Sequence, residues 1–152
     1  MKRKTSRIRK TRKYKKRGGS SMEIRYPTFS ANNQEVSEKN SSSMPTIKLY
    51  PLHYSALIMY DPDAPDSKPS SYLHYLVINI KNGDIRSGDV IVPYAGPTPP
   101  PGTGSHRYIF EQLEQSSPFR IAQPERSNFD TTQFKKQNNL ALKATKMYRV
   151  TA

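Results

Sequence analysis

Most of the side chains that could do chemistry fall in three short stretches of the chain. Asp61-Pro62-Asp63-Ala64-Pro65 ends an apolar run, His74 sits inside a second one, and Gly104-Ser105-His106-Arg107-Tyr108 leaves a Gly/Pro-rich loop. A histidine beside a carboxylate is a pair that can hold a proton near neutral pH. Two His, two Asp and a Tyr brought together could form a small polar pocket. Carboxylates favour the imidazolium form of a neighbouring histidine, so such a pocket is expected to hold a cationic His pair that accepts a phosphate or phosphoryl headgroup. Backbone N–H groups of the Gly/Pro loop would add donors. Each piece alone has a plainer reading. A histidine on an apolar strand reads as a satisfied core residue. Asp-Pro-Asp reads as a turn in which each carboxylate caps an amide. His53, the remaining histidine, belongs to none of these stretches.

Those residues need a scaffold, and the pattern predicts strands. Ala56–Tyr60 is a continuous apolar run ended by Asp-Pro, which suits a strand buried on both faces. Tyr72–Ile80 is the strongest strand signal. Strict alternation puts His74 with Tyr72, Leu76, Ile78 and Ile80, and opposes them to Leu73, Tyr75, Val77 and Asn79. Lys81-Asn82-Gly83-Asp84 reads as a turn, followed by a mixed strand over Ile85–Val92. The segment from Pro93 to Gly104 holds five prolines and three glycines, which excludes a helix or a central strand. Short strands are also expected at Met22–Tyr26, Thr46–Tyr50, His106–Leu113 and Met147–Thr151, with a loop over Asn32–Ser43. One helix should start at Asp130 or Thr131 and turn Phe134 inward. The sum is an all-β sandwich or barrel with one short helix.

The paired stretches resemble the signatures of the phosphatidylethanolamine-binding protein family. Asp61-Pro62-Asp63-Ala64-Pro65 looks like the first signature, and His74 in Tyr72-Leu73-His74-Tyr75-Leu76-Val77 is similar to the pocket histidine that follows it. Gly104-Ser105-His106-Arg107-Tyr108, with Pro99-Pro100 ahead of it, resembles the second. Asn128-Phe129-Asp130-Thr131 and Phe134 resemble the helix start of eukaryotic, plant-like members. The resemblance covers roughly residues 22–152. It implies a β-sandwich with a small cavity lined by Asp61, Ala64, Pro65, Tyr72, His74, Gly96, Pro99, Pro100, His106 and Tyr108. Asp63 and Arg107 would brace the loops by turn capping and ion pairing. It further implies binding of phosphate-like anions or phospholipid headgroups, with action through kinases or other signalling proteins rather than catalysis. Pro97 and Thr98 depart from the Gly or Ser usual there. The chain also stops shortly after Met147–Thr151, so the C-terminal helix that covers the pocket in animal members is expected to be missing and the pocket more open.

Composition bounds the rest. The net charge is +13, but residues 1–19 carry 11 Lys or Arg and no acid, whereas the other 133 residues carry 14 basic and 12 acidic side chains. The basicity is therefore a tail, expected to be solvated and disordered, joined at Gly18-Gly19-Ser20-Ser21 to a nearly neutral domain. The expected division is a tail over 1–21 and a domain over 22–152. Residues 2–17 suit non-specific contact with nucleic acid, an anionic membrane or an acidic partner. A basic N-terminus ahead of one eukaryote-like domain also resembles tails on proteins of large DNA viruses. The chain has no cysteine and no secretory-type apolar segment behind the basic residues, so an intracellular setting is expected, whether cytoplasm, nucleus or virion. No nucleophile stands evidently beside a base, so no enzyme and no cofactor are expected. His74, His106 and Asp61 match a two-His, one-carboxylate metal set. That reading ranks below anion binding, because the metal needs neutral histidines and the anion needs charged ones.

Overall fold

The computed structural model describes residues 21–152. The tail and most of its Gly/Ser joint lie outside the described residues. The chain order is β1 (Glu23–Arg25), β2 (Glu35–Val36), α1 (Glu38–Ser41), β3 (Thr46–Lys48), β4 (Tyr54–Asp61), β5 (Tyr72–Lys81), β6 (Asp89–Val92), β7 (Ser105–Gln115), α2 (Thr131–Gln137) and β8 (Leu140–Thr151), with one-turn 3₁₀ helices at Pro65–Ser67 and Ile85–Ser87. Strands β2-β8-β7-β4-β5-β6 form a six-stranded sheet, and β1 pairs with β3 in a second, two-stranded one. No helix among the described residues is long and apolar enough to cross a membrane.

The large sheet is covered on both faces, so its central strands are apolar on both. One face packs Leu57, Met59, Val77, Tyr108, Phe110 and Tyr148 against Met22, Ile24, Tyr26 and Leu49 of the small-sheet region. The other packs Ala56, Ile58, Tyr60, Leu73, Leu76 and Ile78 against Phe129, Phe134 and Leu140. Because alternate residues of β4 feed different cores, the whole strand is buried apart from its first residue, as the unbroken apolar run predicts. On the first face, the Tyr26 hydroxyl lies 2.7 Å from that of Tyr94 and 2.8 Å from that of Tyr148, tying the small sheet to the large one.

Several boundaries differ from the sequence reading. The Asn32–Ser43 segment is not a loop throughout. It holds β2, which runs parallel to β8, and α1, whose Ser37 side chain accepts from Asn40 N. Ile85–Ser87 is a 3₁₀ turn capped by Asp84, and the strand starts only at Asp89. β8 starts at Leu140, seven residues before the expected Met147, because its first half is a largely exposed strand held by the β7 ladder rather than by a buried apolar face. The Asn82-Gly83 turn forms as read, with φ of 50° and 73°. A side chain at Gly83 would also stand 2.7 Å from the Tyr50 carbonyl oxygen, so glycine is required there twice over. Helix α2 starts at Thr131, with the Asp130 carboxylate accepting from Gln133 N at 2.9 Å, and Phe134 is buried.

The correction that matters most lies in β5. Its pairing with β4 slips between Met59↔Tyr75 and Tyr60↔Leu73, so His74 is an extra residue in the ladder. This bulge takes His74 off the face of Leu76 and Ile78, where alternation had put it. Its ring instead meets Tyr108, 5.3 Å away, on the opposite face. Bulges next to functional sites commonly re-aim a side chain in this way. The irregular backbone is well satisfied. Ala95 N donates to the His74 carbonyl at 2.9 Å. Arg126 Nη1 donates to the Leu73 and His74 carbonyls at 3.2 and 3.1 Å, and Nη2 to the Pro93 carbonyl at 2.8 Å.

Candidate functional site

Asp61 is the last residue of β4 and points to the same face as Leu57 and Met59. There it meets His106, the second residue of the neighbouring strand β7. His106 Nδ1 lies 2.8 Å from Asp61 Oδ2, with the two side chains 1% and 4% exposed. The other His106 nitrogen, Nε2, lies 2.7 Å from Thr103 Oγ1, which in turn donates to the Pro100 carbonyl at 2.7 Å. The imidazole is thus clamped at both nitrogens, once by the first signature and once by the Gly/Pro loop. Asp61 Oδ1 accepts from Asp63 N at 2.7 Å. One Asp61 oxygen thus caps the turn, as the plainer reading of Asp-Pro-Asp has it, while the other meets His106.

Asp63 turns outward. Its Oδ2 accepts from Arg107 N and Nε at 2.9 Å each, and its Oδ1 from Arg107 Nη2 at 3.0 Å. The Arg107 guanidinium holds the Asp63 carboxyl below its ordinary pKa. This fork joins the two signature segments on the outside, as the Asp61–His106 contact does on the inside.

His74 Nδ1 lies 2.8 Å from the Ala95 carbonyl oxygen and must donate to it. Its Nε2 has no partner among the described residues. Burial pushes the His74 pKa down. The Ala95 hydrogen bond and Asp61 oppose that shift, while Arg126 and His106 add to it. At neutral pH His74 is therefore a neutral ring presenting an acceptor. The expectation of a cationic ring is corrected for His74, where burial outweighs the single carboxylate nearby. Tyr108 is 1% exposed. Burial raises its phenol pKa, and the Asp61 carboxylate raises it further, so the hydroxyl stays protonated.

These groups open on a cavity of about 220 Å³. Asp61, Ala64, Pro65, Tyr72, His74, Pro99, Pro100 and Tyr108 line it, as expected, joined by Asp66, Ser67, Thr98 and Ser127. Two expected residues do not. His106 lies behind Asp61, buried and spent on Asp61 and Thr103. Gly96 packs against α1, where a Cβ would stand 2.7 Å from the Ser42 carbonyl oxygen, so it serves a close backbone approach instead. Asp66 directly follows the first signature and carried a signal in its position. Ser127 carried none, because it comes from a polar loop whose path past β5 is fixed by a bridge between Ser71 and Phe129. Arg126 and Thr103, which hold the bulge and the His106 ring, were also missed. Among the described residues, no group of three His, Cys, Asp or Glu is arranged to hold a metal ion.

A sequence profile of the family described as phosphatidylethanolamine-binding protein (PBP) matches residues 11–149. Solved structures share the fold at low identity. The crystal structure of carboxypeptidase Y inhibitor complexed with its cognate proteinase aligns with TM-score 0.74 and 20% identity, over 85% of this chain and 81% of that one. The solution structure of CG7054 gives 0.68 and 23%, over 86% and 84%. The phosphatidylethanolamine-binding protein from Plasmodium vivax gives 0.65 and 21%, over 85% and 83%.

Proposed function

The chain belongs to the phosphatidylethanolamine-binding protein family, and from that premise we propose that it is a binding and regulatory module whose cavity takes a phosphate-like anion or a phospholipid headgroup. In this reading the protein works through protein partners rather than by catalysis. The family consists largely of binding and inhibitor proteins, and the partner in the carboxypeptidase Y inhibitor structure is a proteinase. A signalling kinase or a protease is the corresponding class of partner here.

The observation that carries the reading is the unpartnered Nε2 of the buried His74 on the wall of a cavity that Asp61 and Tyr108 also line. A phosphoryl oxygen placed there needs donors. Tyr108, Ser67, Thr98 and Ser127 offer hydroxyls, and His74 supplies another donor once protonated. Binding is therefore coupled to proton uptake at His74, and affinity rises as pH falls through its lowered pKa. The cavity is smaller than the roughly 300–1,000 Å³ of drug-sized sites, which suits a headgroup rather than a whole lipid. His106 acts at one remove, by holding Asp61.

Calorimetry and phosphorus NMR with inorganic phosphate and phosphoethanolamine test this. The native protein should bind at least one, and His74→Ala should lose most of that affinity. If neither ligand binds the native protein, the headgroup reading fails. If His74→Ala binds both unchanged, the residue assignment fails.

The 11 Lys and Arg among residues 1–19 favour a second, separate activity, contact with nucleic acid. It predicts affinity for DNA or RNA that falls steeply with salt and disappears when residues 2–17 are deleted. Binding by the deleted chain would count against it.

A further inference from the structure

We propose that the basic N-terminal tail, residues 2–17, lies across the mouth of the cavity and supplies the positive charge that a bound phosphoryl anion requires. The inference rests on the cavity being an anion site, and adds a segment of this chain to it.

The cavity walls carry the wrong charge for an anion. Asp61 and Asp66 line the cavity, and among the described residues no Lys or Arg does. Two nearby guanidinium groups are engaged: Arg107 forks onto Asp63, and Arg126 is bonded to the Leu73, His74 and Pro93 carbonyls. Lys68, one residue beyond Ser67, is exposed and does not line the cavity. Glu38 of α1 adds to the acid surplus, since its carboxylate helps burial and Asp61 to raise the Tyr108 pKa. A phosphate placed here meets hydroxyls and one ring that takes a proton, His74. A dianion then keeps at least one charge without a counter-charge, and uncompensated charge withdrawn from water is costly.

The missing charge is present in the same chain. The 11 Lys and Arg of residues 1–19 all fall between Lys2 and Arg17, with no acid among them. The start of the described chain lies near the cavity. The Tyr26 ring is 5.4 Å from that of Tyr148, which is 5.8 Å from that of Tyr108, so at most about 11 Å separates the Tyr26 and Tyr108 rings. Ser21 is five residues back from Tyr26, and 20 residues precede it. An extended chain of 20 residues spans up to about 70 Å, so the basic residues reach the mouth with length to spare. The rim is open to them, since Pro65, Asp66, Thr98 and Pro100 are exposed. Asp66 makes neither a hydrogen bond nor an ion pair with any described residue. It anchors one tail cation at the rim, and the phosphoryl oxygens take others. Attraction between an acid-lined cavity with its bound anion and a wholly cationic segment favours this contact.

Titration calorimetry with inorganic phosphate at low salt compares the native full chain with a full-length variant whose 11 tail Lys and Arg are replaced by Gln. An exposed ion pair is worth up to about fivefold in affinity, so two such pairs set the expected loss at about tenfold or more. The difference should narrow as salt is raised. Both cores are built from residues beyond the tail, so the variant should keep the native urea midpoint. His74→Ala with the native tail should bind phosphate weakly, which assigns the anion to the cavity rather than to the tail alone. Equal affinity of native and Gln-tail chains overturns the inference while leaving the anion reading standing. Tighter binding by the Gln-tail chain overturns it as well, since the tail then competes with the anion. Undiminished binding by His74→Ala does the same, because the tail then holds phosphate without the cavity. Failure of the native protein to bind phosphate, with or without the tail charges, overturns the anion reading for this ligand and the tail's part in it.

Discussion

Replacing Asp61 by Ala tests whether the two signature segments are held together by one carboxylate. The change removes the acceptor for two donors. One is the His106 ring, 1% exposed, whose Nδ1 is left with no acceptor. A buried donor without a partner costs about 1–3 kcal/mol. The other is Asp63 N, part-buried, whose turn bond at 2.7 Å is worth about 0.5–1.5 kcal/mol. The sum is a loss of about 1.5–4.5 kcal/mol. With a urea m-value of about 2 kcal/mol/M, the midpoint should fall by about 1–2 M while m stays constant. His106→Ala and the double variant complete a cycle. The double variant should lose at least about 1 kcal/mol less than the sum of the singles, since the contact can be removed only once. Glu23→Ala is the control: its carboxylate meets only the Arg25 guanidinium in a surface pair, and the midpoint should barely move. The reasoning is refuted if Asp61→Ala shifts the midpoint no more than Glu23→Ala, or if the cycle is additive.

Other substitutions probe other parts. Because burial lowers the His74 pKa in the folded state, the unfolded chain binds the extra proton first. Stability is then complete above the unfolded value near 6.5 and falls as pH drops below it, by up to about 1.4 kcal/mol per pH unit for one group. Urea midpoints between pH 5 and 8 should show that slope in native protein and less of it in His74→Gln; identical slopes would contradict it. Gly96→Ala puts a Cβ 2.7 Å from the Ser42 carbonyl oxygen and should destabilise by about 1–3 kcal/mol, read from the thermal midpoint. Asp130→Ala removes the acceptor for Gln133 N and should destabilise by about 1 kcal/mol in urea, with the m-value kept.

The sequence carried the scaffold where burial writes a pattern. Ala56–Tyr60 had to be apolar throughout because its two faces feed two cores, and the Asn82-Gly83 turn needed residues that accept positive φ. The exposed first half of β8 left no such trace, because its residues answer to backbone pairing with β7. The site was legible as a list of residues and less so as an arrangement. A bulge has no composition of its own, so strict alternation put His74 on the wrong face. The distinction between Asp61 on the wall and His106 behind it depends on Thr103 and the loop path, neither of which spacing reports. Ser127 reaches the cavity through long-range pairing of the Arg126–Phe129 segment with β5.

The central claim is that His74 Nε2 meets a phosphoryl ligand in this cavity. Long-range proton–nitrogen NMR of the histidine rings, followed through a phosphoethanolamine titration at neutral pH, addresses it most directly. In the free protein, Nδ1 of His74 should carry the proton and Nε2 should show a lone pair. At saturation Nε2 should take the shift of a protonated nitrogen, while the clamped His106 ring keeps its pattern. A His74 ring that does not change at saturating ligand would contradict the account.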